Sequence, residues 1–228
     1  MIEKKETGPP NSRFFFEDSE TKMKYRRIVA GLALPGVQPG SISVVAEEFK
    51  KDSTLQVRIY RLLAEAEDAD INALFNKAID LRGYFEVQEF LGDCQNKPLM
   101  DILRLFNESL RARNIPGLTL YAAPFINEDR SFYYYANMVR AHLNQGRKTL
   151  YLGEGSKIAR CLQELPPEEI LKAGPLDFPA IAALGYAVAY LDSWQPSDDA
   201  INWRDRIPEE SNRYSIWGML RNLPGYRR

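Results

Sequence analysis

Hydrophobic positions in the first third of the chain follow the short periods of β-strands. Arg27–Leu34 (RIVAGLAL) is an apolar run ended by Pro35-Gly36, which predicts a buried strand. Ser41–Phe49 (SISVVAEEF) follows Pro39-Gly40 and alternates towards its end, and Leu55–Leu63 (LQVRIYRLL) alternates again beyond Lys51-Asp52-Ser53. Connections this short predict an antiparallel three-strand meander. Over Asp68–Leu81 the period lengthens. Ile71, Leu74, Phe75, Ala78 and Ile79 share one helical face, and Gly83 is placed to stop the helix.

Beyond Gly83, strands and helices alternate. Tyr84–Leu91 reads as a strand, Leu99–Leu110 as a helix and Leu118–Ala122 as a strand. Phe132–Leu143 is a helix, Thr149–Leu152 a short strand and Ser156–Leu165 a helix. Pro179–Leu191 (PAIAALGYAVAYL) is almost wholly small or apolar and predicts a deeply packed helix. Strand–helix alternation implies parallel crossovers. The expected fold is therefore α/β: a mixed sheet with an antiparallel meander followed by parallel strand–helix units, flanked by helices. Residues 1–24 are expected to form a flexible arm, with Phe14-Phe15-Phe16 docking on the domain. Residues 25–193 form that domain. Residues 194–228 form a tail that packs down through Trp203, Trp217 and Leu220, with a short helix near Tyr214–Arg221.

Composition narrows function mainly by exclusion. The 228 residues are 45% hydrophobic and 27% charged, enough for a real core and too apolar for disorder. Thirty basic against 31 acidic side chains argue against a chain that coats nucleic acid wholesale. Cys94 and Cys161 lack zinc or redox spacing, and a lone His142, expected to be structural or at the surface, makes a Ser-His-Asp enzyme improbable. MIEKKETGPPNSR has no apolar core of the secretory kind, and Ile181 to Leu191 is too short to span a bilayer. The expected location is the cytoplasm, with no membrane partner.

The order of elements resembles the ribonuclease-H-like fold, and the second half is similar to the nuclease domain of phage terminase large subunits. The resemblance covers roughly residues 26 to 192. It rests on Asn144-Gln145-Gly146-Arg147 leading into Lys148–Leu152, on Ala159–Leu165, and on a "D-x-x-x-A-L-x-Y-A" helix start carried by Asp177, Ala182 to Leu184, Tyr186 and Ala187. Phe90-Leu91-Gly92-Asp93 ahead of Leu99–Leu105 resembles the family's acidic strand end. Ala33 stands where the family's first strand carries its metal-binding carboxylate, and Asp177 is followed by Phe178-Pro179 rather than by a second acid. A phosphate loop of the form G-x-x-x-x-G-K followed by Ser or Thr is absent from the sequence, so this is not the packaging motor.

The resemblance implies two-metal phosphodiester hydrolysis, with Mg2+ or Mn2+ held by convergent carboxylates. Asp93 and Asp177 are the implied catalytic and metal-binding residues, and Glu47 or Glu48 is the candidate substitute for the missing first acid. The strand period sends only one of that pair to the site face, and Glu89 is the nearer of the next strand's acids to Asp93. Each acid also has a local role open to it. Gly-Asp-Cys-Gln-Asn is a turn composition, and Asp177 stands in a helix-capping context. The expectation is a terminase-nuclease-like protein with a weakened or lost DNA nuclease, or a binding module that keeps the fold. Double-stranded DNA, or a phage or host protein, is the expected partner. The basic candidates are Lys22, Lys24, Arg26 and Arg27, then Arg111, Arg113 and Arg130, then Arg140, Arg147, Lys148, Lys157 and Arg160, and finally the tail end Tyr226-Arg227-Arg228.

Overall fold

The computed structural model describes residues 2–6, 14–49, 58–124, 131–144, 149–153, 155–164, 166, 169 and 172–193. By its contacts the chain divides into two compact units, Met1–Ser193 and Trp194–Arg228. The second unit, with the tail and short helix expected there, lies outside the described residues. So do Arg130, Arg147 and Lys148.

The first unit is α/β. Its strands are β1 (Ile2–Glu6), β2 (Phe14–Asp18), β3 (Lys24–Ala33), β4 (Gly40–Glu48), β5 (Tyr60–Asp68), β6 (Glu89–Gly92), β7 (Leu120–Ala122) and β8 (Leu150–Tyr151). Its helices are α1 (Ile71–Phe85), α2 (Lys97–Ala112), α3 (Ser131–Asn144), α4 (Lys157–Glu164) and α5 (Pro179–Ser193). One mixed, mostly antiparallel sheet runs β7-β6-β3-β4-β5-β8, and the β1–β2 hairpin joins the amino end of β3. The meander β3-β4-β5 is antiparallel, β6 and β7 continue it in parallel from β3, and β8 lies parallel to β5.

Alternation along the strands divides the core between two faces. Ile28, Ala30, Leu32, Ile42, Val44 and Ala46 pack with α1 and α2 residues such as Leu74, Phe75, Leu103 and Phe106. The opposite face carries α5, which lies against β3, β4 and β6 and is flanked by α3 and α4. Side chains are small where α5 crosses β3. A Cβ on Gly31 would overlap the Ala183 carbonyl oxygen, so helix and strand meet backbone to backbone. Polar positions on this face are tied down locally. Glu65 of β5 accepts from the Ser156 hydroxyl at 3.0 Å and from the Ile158 amide at 3.4 Å, serving donors at the start of α4.

Three expectations need correction. The stretch read as a flexible arm supplies β1 and β2. Ile2, Phe15 and Phe16 are buried, and Phe16 pairs with Tyr25 of β3. Burial of these few apolar side chains, with a Lys5–Glu17 hydrogen bond of 2.6 Å across the hairpin, holds a strand of otherwise charged residues. Second, Gly83 does not stop α1. The helix runs to Phe85 and ends at Glu86, which takes the left-handed conformation (φ 55°, ψ 39°) and returns its N–H to the Arg82 carbonyl. The third correction follows from the second, since the strand expected from Tyr84 begins only at Glu89. Gly83 is exposed and a Cβ there meets nothing within 4 Å. Gly83→Ala is therefore expected to stabilise the protein by about 0.5–1 kcal/mol in urea unfolding. An unchanged or lowered midpoint would contradict a helical Gly83.

Candidate functional site

Asp93 directly follows β6. Because Gly31 pairs with Leu91 in the parallel β3–β6 ladder, Asp93 stands level with Ala33 at the carboxyl ends of both strands. The start of α5 lies over the same end. Gly31 abuts Ala183, and Gly36, just past β3, abuts Leu176, just before α5. The fold thus brings Asp93 and Asp177 to one end of the sheet.

One oxygen of each is engaged in its own turn. Asp93 Oδ1 accepts from the Gln95 amide at 3.0 Å and the Asn96 amide at 3.2 Å. Asp177 Oδ2 accepts from the Gly174 amide at 2.7 Å. The capping role expected of Asp177 falls one residue later, because the Ala182 amide bonds to the Phe178 carbonyl. Asp93→Ala is expected to cost about 1 kcal/mol of stability through its turn. The chemical-unfolding midpoint measures this, and an unchanged midpoint would show that the turn bonds contribute nothing.

The buried residues near this end are apolar. Ala33 is 3% exposed, and Ala180, Ile181 and Ala183 of α5 are buried. Among the described residues, no group of three or more His, Cys, Asp or Glu side chains is placed to hold a metal ion. A pair of divalent ions needs three or four convergent carboxylates to offset its charge. The residues at this end do not fit such a pair.

Glu47 does not supply the missing acid, which corrects the expectation. It pairs with Arg27 of β3, whereas Ala33 pairs with Ser41. Six residues of strand separate the two levels, about 20 Å at the rise of a strand. The direction of the chain explains the miss: β4 runs back along β3, so its carboxyl end lies beside the amino end of β3. Glu89 is also committed elsewhere. Its two oxygens lie 3.0 and 2.9 Å from Arg27 Nη2. Glu48 bonds Arg61 at 2.7 Å.

The amino end of β3 holds a network that local sequence patterns do not reveal. Arg27 also donates to the Tyr190 hydroxyl at 2.9 Å, and its guanidinium lies 4.9 Å from that ring's centroid. Burial and the neighbouring Glu89 push the Tyr190 hydroxyl up to about 12. Tyr60 donates to Asp192 Oδ1 at 2.5 Å, and burial holds its hydroxyl proton well beyond the ordinary phenol range. His142 lies between Thr149 Oγ1 (2.7 Å from Nδ1) and Asp192 Oδ2 (3.2 Å from Nε2). The expected structural role of His142 is its observed one, joining α3 to α5. Apart from His142 and Thr149, seven residues apart, these partners are 50 to 163 residues apart in the chain, so no spacing signal marks them.

The described basic candidates are dispersed. Lys157 bonds Glu67, Arg140 bonds the Leu162 carbonyl, and Lys24 lies over Phe15. On α2, Arg104 and Arg111 stand on the rim of a groove of about 470 Å³ between that helix and edge strand β7. Compared with family models, curated proteins and solved structures, the chain matches none of them.

Proposed function

We propose that this chain is a ribonuclease-H-like module, similar to terminase nuclease domains, that has lost the divalent-metal cleavage centre and acts by binding DNA. The strand order β7-β6-β3-β4-β5 supports the fold half of this reading. An antiparallel meander is extended by two parallel strands reached through helices, and a final helix lies across the first meander strand. The observation that carries the loss of chemistry is Ala33, buried beneath α5 at the strand end where the resemblance calls for the first carboxylate. Asp93 and Asp177 each give one carboxylate oxygen to their own turn, and two acids alone fall short of the three or four that a metal pair needs. The DNA half draws support from Arg111 on the groove side of α2 and from Arg113, exposed at that helix's end, while Arg104, two helical turns before Arg111, shares the groove with its ion-pair partner Glu108.

Supercoiled plasmid incubated with millimolar Mn2+ tests the first half. No nicking above background is expected. Nicking that is lost in both Asp93→Ala and Asp177→Ala would overturn it. For the second half, DNA binding is expected to weaken steeply with salt, to ignore chelator, and to drop in Arg104→Ala/Arg111→Ala. Absence of binding even at low salt would overturn DNA as the ligand and leave a phage or host protein as the partner.

A further inference from the structure

Glu47 carries a feature that the loss of nuclease chemistry does not use. It is 3% exposed, and its Oε2 has no hydrogen-bond partner. Oε1 is 3.8 Å from Arg58 Nε and 3.9 Å from Arg26 Nη1, close enough for attraction but beyond hydrogen bonding. Arg58 is meanwhile committed to α5. Its Nη1 donates to the Leu191 carbonyl at 2.6 Å and reaches the Asp192 carbonyl at 3.5 Å. Those carbonyls belong to the last described turn of the helix.

We propose that Glu47 is a proton-operated clasp on the last turn of α5. When its carboxyl is neutral, the site contains no buried anion, and Arg58 stays on the helix carbonyls. When the proton leaves Oε2 for solvent water, a carboxylate with neither oxygen hydrogen-bonded remains in a desolvated position. Arg58 Nε then needs only about 1 Å of movement to bond Oε1 at ordinary hydrogen-bond length, and that pull competes with the hold of its Nη1 on the Leu191 carbonyl. The turn it leaves holds Tyr190, the partner of Arg27, and Asp192, the partner of Tyr60 and His142.

The charged and titratable groups around Glu47 favour this competition. β3 contributes Arg26 and Arg27, the β5 side contributes Arg58 and Tyr60, and α5 contributes Asp192. Asp192 has a partner on each oxygen, from Tyr60 and His142 (the latter on α3). Burial raises the Glu47 carboxyl above the ordinary glutamate range, the three arginines offset part of that rise, and Asp192 adds to it. For an acid raised by folding, the stabilisation is complete below the unfolded value. It is lost as pH rises through the folded value.

Hydrogen exchange of residues 190–193 in the full chain, corrected for intrinsic rates, tests the clasp together with a 13C-carboxyl titration of Glu47. The resonance should titrate above about 4.3, the ordinary glutamate value. As pH rises through that midpoint, protection of the last turn should fall, by up to roughly tenfold for each unit by which the midpoint is raised. Glu47→Gln should keep full protection across the range, and Arg58→Gln should lack it throughout. A resonance titrating at or below the ordinary value would overturn the clasp. So would a Glu47→Gln protein that loses protection with pH as the parent does.

Discussion

Gly31→Ala is expected to cost roughly 3 kcal/mol or more and to leave much of the protein unfolded at 37 °C. The added methyl would overlap the Ala183 carbonyl oxygen and lie 2.7 Å from its carbonyl carbon. Neither element can retreat cheaply. β3 is held on both sides, by β4 and by β6, and α5 is buried along nearly its whole length. Lifting α5 to admit the methyl would open voids beside Val29, Val45 and Ala187, all fully buried. Urea unfolding measures the loss. A Gly31→Ala protein within 0.5 kcal/mol of the parent would mean that α5 does not rest on β3 as described.

The second large effect belongs to Arg27. Arg27→Leu is expected to cost about 3 kcal/mol, because Glu89 would keep its charge while losing its guanidinium partner, and Tyr190 would lose a donor. The side chains are only 12% and 24% exposed, so water replaces little of what is lost. The pair is not assigned a net stabilisation of that size, since burying both charges carries its own desolvation cost. Arg27→Leu/Glu89→Leu is accordingly expected to recover more than half of the loss. Additive costs in the double variant would show that the two side chains do not act as a pair.

Local patterns made much of the fold legible. Ile71, Leu74, Phe75 and Ala78 repeat at the helical period, and Pro179–Leu191 is too apolar to be anything but a packed helix. RIVAGLAL between a charged stretch and Pro-Gly reads as a strand for equally local reasons. What escaped depends on distant partners. IEKKE is a strand because Ile2 reaches the core and Lys5 reaches Glu17 across the hairpin. Gly83 looks like a stop, yet the chain leaves the helix three residues later by placing Glu86 in a left-handed conformation.

The acids show the same division. The turn role of Asp93 is written in Gly-Asp-Cys-Gln-Asn, because an Asp in such a turn needs only the amides that follow it. The position of Glu47 follows from the direction of β4, since an antiparallel return carries its end away from the end of β3. The Arg27–Glu89 pair spans 62 residues and leaves no trace in spacing.

Ala33 between Asp93 and the first turn of α5 is the feature on which the proposed loss of chemistry depends. Mn2+ titration followed by paramagnetic broadening of amide resonances reads that spot directly. The expected result is no saturable broadening around Asp93 up to millimolar metal, with only weak uniform effects on exposed carboxylates. Saturable sub-millimolar broadening centred on Asp93 and Asp177, abolished by Asp93→Asn, would mean that the carboxyl end of the sheet is a metal centre after all.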